Sequence, residues 1–165
     1  MKIEADKDLL LNFILTFSCF EFALKSSGLY KPPGRNDDPN TGYRAEPDWD
    51  SFARSLRGRF QTASSPHLAI ACEYLLMNPP WREVVANGVL MWDAAAVSDT
   101  LSDVEKLIWY IRRIRNNLFH GGKFSTLPVS DRRRNSELME YSLVVLRECL
   151  RLSNPVRAEY EAATL

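Results

Sequence analysis

Residues Ser102 to Lys123 read SDVEKLIWYIRRIRNNLFHGGK. Ser102 and Glu105 have the S-x-x-E spacing of a capping box, which satisfies the first free amides of a helix. Behind it Val104, Leu107, Ile108, Ile111, Ile114 and Leu118 recur at intervals of three and four, so one side of a helix is apolar. Gly121-Gly122 ends it. At roughly 100° per residue, Trp109, Arg112, Asn116 and His120 fall together on a side nearly opposite the apolar stripe. Arg115 lies at the edge of that stripe, one turn before Phe119, which predicts a guanidinium that reaches around the helix or sits partly buried. A tryptophan on the outward side asks for a cover, and a second copy of the same helix is the simplest one.

The same periodicity extends in both directions. Leu9, Phe13, Phe17, Phe20 and Leu24 mark a first helix ending near Gly28, and Asp48 caps a second with Trp49, Phe52, Ala53, Leu56 and Phe60 on one side. Ser64-Ser65-Pro66 opens a third that Pro79-Pro80 stops after Met77. A further helix runs from about Arg132 to Leu152 with Leu138, Tyr141, Val145, Cys149 and Leu152 inward, and Asn154-Pro155 interrupts it before a short tail. Asn87-Gly88 between short apolar runs predicts a minor hairpin or an irregular loop. Gly28 to Pro47 has no periodicity, and loops of that length are often functional or disordered. The expectation is an all-α bundle of about five helices with long loops, one domain spanning 1–165.

The chain has 21 basic and 21 acidic residues, so no global field draws it to nucleic acid or membrane. The charge is unevenly placed. From Arg112 to Arg134 seven basic residues stand against Asp131, a local balance of +6, while the remainder carries −6. A polyanion is expected to approach that end, where Arg112, Arg113, Lys123, Arg132, Arg133 and Arg134 would gather it. Cys19, Cys72 and Cys149 read as small buried hydrophobes of a reducing compartment, and the Cys and His spacings offer no zinc site. The apolar stretch from Leu9 to Phe22 is broken by Asn12, follows Glu4, Asp6 and Asp8 where a signal peptide is cationic, and falls short of a membrane span. A soluble, cytoplasmic protein with no membrane partner is expected. Glu21 and Lys25 read as a surface ion pair, with a buried Glu21 facing Arg115 as the alternative, and His67 reads as structural.

The string from Arg115 to His120, arginine, asparagine, three residues, then histidine, closes an apolar helix before a glycine-rich loop and a final helix. In this it resembles the R-x4-6-H signature of the HEPN (higher eukaryotes and prokaryotes nucleotide-binding) superfamily. The resemblance implies a small helical bundle, usually dimeric, and a metal-independent endoribonuclease acting without a cofactor as a toxin or defence effector. Matched residue by residue, it implies that His120 and Arg115 are catalytic, with Asn116 the polar residue that follows the arginine. The chemistry is consistent with these types. Attack by the RNA's own 2′-hydroxyl needs a base, a donor for the leaving 5′-oxygen and cations for charge growing on the phosphorus oxygens. Histidine titrates near neutrality, and arginine offers a fixed fork for phosphate without a metal.

Acid and base are two roles, yet the basic region holds one histidine, so a two-fold homodimer bringing together two copies of His120 and Arg115 is predicted. The branch of the family controlled by nucleotidyltransferase antitoxins has a tyrosine two residues after the histidine; here that position is Gly122, so control would fall to another antitoxin or regulatory partner or to the chain itself. Two other classes fit the same charges: a dimeric module that binds RNA or nucleotide without cutting, and a protein-interaction subunit whose basic end meets an acidic partner. Base readout, with no aromatic sheet motif present, falls to the loops Gly28 to Pro47 or Gly121 to Ser130.

Overall fold

Helix α1 (Lys7–Ser26) turns Phe13, Phe17, Phe20, Ala23 and Leu24 into the core, the spacing its sequence predicts. It ends in a Schellman turn at Gly28, whose φ of 86° suits a residue without a Cβ; Leu29 N–H donates to Leu24 O at 2.8 Å and Gly28 N–H to Lys25 O at 3.1 Å. The computed structural model describes residues 7–94, 97–119 and 132–164. Averaged over 18 residues, α1 has a mean hydropathy of 1.4 and meets the length and composition of a membrane span, which corrects the expectation that no segment does. Asn12 and Glu21 interrupt the run without lowering its average enough. Leu11, Leu15 and Phe22 remain on its exposed side.

The stretch 28–47 is closed at its neck. Tyr30 pairs with Pro47 in a single bridge, Lys31 N–H donates to Glu46 O at 2.8 Å, and Asp48 N–H to Leu29 O at 2.9 Å. Asp48 then caps α2 (Trp49–Ser55) by accepting from Ser51 N–H at 2.9 Å. This helix is shorter than the pattern through Phe60 suggested, because its α-helical turns stop at Ser55, though Leu56 is still buried. Helix α3 (Pro66–Met77) starts as read, with the Ser65 hydroxyl accepting from Leu68 N–H at 3.2 Å.

Strands β1 (Arg82–Ala86) and β2 (Val89–Asp93) form the antiparallel ribbon, joined by Asn87 and Gly88 at φ 51° and 76°, both in the left-handed region that a primed turn requires. An isolated two-stranded ribbon is marginal in water, and this one is tied at its root by Arg82 Nε and Nη2 donating to Asp93 Oδ2 at 2.9 and 2.7 Å. Its far end leaves Val85, Val89 and Leu90 more than 60% exposed.

Helix α4 (Asp103–Phe119) follows the quoted stretch, with Val104, Leu107, Ile108, Ile111 and Ile114 buried. Glu105 completes the cap and does more. It accepts from Ser102 N–H at 3.0 Å and from Arg57 Nε and Nη2 at 2.7 and 2.6 Å, so it ties α4 to the segment after α2. The bidentate Arg57 fork, then Ser102, hold its carboxyl down at about 2. The folded chain thus binds this proton less tightly than the unfolded one, so its stabilisation is complete above about pH 4.5 and is lost as pH falls towards 2. Denaturant midpoints should drop more steeply over that window in the parent than in Glu105→Gln, which should also be less stable at neutral pH by about 1–3 kcal/mol.

Helices α5 (Arg132–Leu152) and α6 (Asn154–Ala163) complete the described chain, which is mostly helical. The sixth helix corrects the expected tail. Asn154-Pro155 does interrupt α5, yet a proline in a first turn costs no hydrogen bond, and here it opens a helix that packs on α1 and buries Val156. Helix α1 lies against α5 and α6, α3 against α4 and α5, and α2 against α4. Buried apolar side chains from all six helices form one cluster that includes Cys72 and Cys149; Cys19 is only half-buried, which corrects the expectation for all three.

Candidate functional site

Arg115 sits partly buried in a slot between α1 and α4. Its guanidinium carbon lies 5.4 Å from the Phe17 ring centre and 4.9 Å from that of Phe119, so flat aromatic surface holds it from both elements. Nη1 donates to Asn116 Oδ1 at 3.1 Å, and Nη2 lies 3.7 Å from Glu21 Oε2. Trp49 Nε1 donates to the other Glu21 oxygen at 3.4 Å. Glu21 therefore faces Arg115 and Trp49 and not Lys25, correcting the surface-pair reading. The signal was in the sequence: Glu21 follows Phe13, Phe17 and Phe20 at the edge of the buried stripe, where a carboxylate requires a partner.

His120 and Lys123 lie outside the described residues, as do the Gly121-Gly122 stop and the loop Gly121 to Ser130. The other expected cations divide by what they touch. Arg112 Nη1 donates to Asp50 Oδ1 at 2.9 Å and keeps part of its surface in water. Arg133 is exposed and pairs with Glu137 at 3.0 Å; Arg132 begins α5.

Arg113 and Arg134 have other uses. The turn after α3 contains Pro79 and Pro80, and the carbonyls that a terminated helix leaves without partners must find donors. Arg134 Nη2 donates to Asn78 O at 3.5 Å and Pro79 O at 3.0 Å, Arg113 Nη1 to Pro80 O at 2.8 Å, and Asn117 Nδ2 to Trp81 O at 2.6 Å. Four consecutive carbonyls are thus taken by side chains of α4 and α5. Arg113 is only 6% exposed, and burial, then the nearby Arg82, push its pKa down. The expectation that it gathers phosphate in solution is corrected: its side chain laces the connection between α3 and β1 onto α4.

The outward side of α4 is also partly covered by this chain. Trp109 is half-buried, with the Arg113 guanidinium carbon 4.2 Å from its ring centre. Trp109, Arg112, Arg113, Asn116 and Asn117 line one wall of a pocket of about 380 Å³ whose other wall is Arg82 and Glu83 at the root of the ribbon. Sequence periodicity placed Trp109, Arg112 and Asn116 together but could not show that the ribbon returns to them. His67 is exposed at the start of α3. Among the described residues no group of three or more His, Cys, Asp or Glu is placed to hold a metal ion.

Comparison of the chain with protein-family models, with curated protein sequences and with solved structures found no match.

Proposed function

We propose that the protein is a metal-independent endoribonuclease of HEPN type and fold, a cytoplasmic toxin or phage-defence effector acting at a composite site in a homodimer. The observation that carries this reading is the setting of Arg115. A guanidinium held by two rings, a carboxylate and the neighbouring Asn116 amide is pre-oriented before any ligand arrives, the property that charge stabilisation in a transition state demands. In the sequence, His120 follows five residues later. In the proposed reaction one His120 takes the 2′-hydroxyl proton, the 2′-oxygen attacks phosphorus, and the 5′-oxygen leaves with a proton from the second copy. Arg115 meets the charge that grows on the phosphorus oxygens.

The test is incubation of the protein with total RNA in excess EDTA. The parent should leave fragments ending in 2′,3′-cyclic phosphate or 3′-phosphate, and His120→Ala should lose at least about a hundredfold in rate. If both leave the RNA whole while binding it in a salt-dependent manner, the non-catalytic binding module replaces this reading; if neither binds RNA, the protein-interaction subunit does.

A further inference from the structure

Helix α1 is apolar on two sides. Phe13, Phe17, Phe20 and Leu24 fill the core, while Leu11, Leu15 and Phe22, each about half-exposed, run along the opposite side. This second stripe is why the helix averages the hydropathy of a membrane span. A helix apolar all round belongs inside something, and α5 and α6 cover only the first side.

The order of residues along the stripe says what covers the second. Asp8, Leu11, Leu15, Ser18, Phe22 and Lys25 follow one another at spacings of three, four, three, four and three, the seam of two helices packed along their length. That series of spacings is the same in reverse. Turned end over end about a point between Thr16 and Phe17, a second copy of the stripe lays its Phe22 on Leu11, its Ser18 on Leu15 and its Lys25 on Asp8. The small Ser18 leaves room for Leu15 at the centre, and opposite charges close both ends. A parallel pair would set Asp8 against Asp8 and Lys25 against Lys25. A lipid surface asks for cations around the apolar side, whereas here the exposed Asp8 stands in line with it.

We infer that this side of α1 is the surface on which a second copy of the chain docks, antiparallel across a two-fold axis. It takes the place of the outward side of α4, part of which the chain's own ribbon already covers. The axis is perpendicular to both helices, so what flanks α1 on one side lies on the same side of the dimer in both copies. Glu21 is such a residue, about a quarter-turn round α1 from Phe22, and the two Glu21–Arg115 pairs therefore share one side of the dimer. Their use in a shared active site rests on the ribonuclease reading; the docking surface does not.

Sedimentation velocity of the intact protein, from about 1 to about 100 µM, reads the association directly. The parent should dimerise. Leu15→Lys, at an exposed position, should raise the dissociation constant about a hundredfold or more with an unchanged circular-dichroism spectrum. Asp8→Lys alone and Lys25→Asp alone should each raise it about fivefold, by setting like charges together at both ends, and the two combined should restore it. Asp8 and Lys25 stand at opposite ends of one helix, so only antiparallel pairing between copies gives that rescue. The charge variants also keep the test decisive if Leu15→Lys alters the fold. A monomer over the whole range, a dimer indifferent to Leu15→Lys, or a double variant no tighter than the single ones overturns the inference. So does a monomer that sediments with phosphatidylcholine vesicles unless Leu15 is replaced by lysine, which would give the stripe to a lipid surface. A dimer that leaves RNA whole overturns only the ribonuclease reading, whereas a monomer that cuts RNA overturns this inference and the composite site but not cleavage itself.

Discussion

Arg115→Lys should lower the RNA cleavage rate by about a hundredfold or more while changing the melting temperature by only a few degrees. The substitution keeps the positive charge facing Glu21 but removes the planar fork. A lysine cannot lie flat against Phe17 and Phe119 while donating to Asn116, so what disappears is geometry and not charge. If cleavage survived in Arg115→Lys at more than a tenth of the parent rate, Arg115 would be an ordinary ion-pair residue. Glu21→Gln separates the two roles further. Glutamine retains an acceptor for Trp49 Nε1 but loses the charge that steers the guanidinium, so kcat should fall about tenfold with KM little changed, the mark of a positioning residue.

Phe20→Ala should destabilise the protein by about 3–5 kcal/mol, read as the denaturant midpoint at constant slope. The ring is fully buried, stacks on Trp49 with centres 5.1 Å apart, meets Phe52 edge-on at 5.4 Å and Tyr160 at 6.1 Å. One side chain therefore joins α1, α2 and α6, and no single neighbour can collapse into the space it leaves. Tyr160→Ala, which strips only the partly buried contact from α6, should cost clearly less. Equal losses would mean that α6, and not the aromatic cluster, governs the fold.

These two sites differ in how much of them could be read from the amino acids. The buried face of α4, the Ser65-Pro66 start and the Asn87-Gly88 turn follow from local rules, because capping, periodicity and left-handed backbone are settled within a few residues. Arg115 was placed at the edge of the core for the same reason. What escaped depends on distant partners. Arg113 looked like a solvated cation because periodicity gives its direction around the helix but not the Pro80 carbonyl that meets it there. Glu21 has Lys25 four residues away and Arg115 on another helix as possible partners, and spacing alone favours the near one, whereas its contacts stand on α2 and α4. Helix α6 was missed because Pro155 carries opposite meanings at the two ends of a helix, and only packing against α1 decides which applies.

The row of carbonyls from Asn78 to Trp81 also has a mechanical meaning. Because Arg113, Asn117 and Arg134 grip this connection just before β1, the ribbon is an arm with a clamped shoulder: bending is confined to the stretch beyond Arg82, and a load applied at its apolar tip passes into α4, the helix that carries Arg115. A pull on the tip would therefore reach α4 through a strut instead of a hinge.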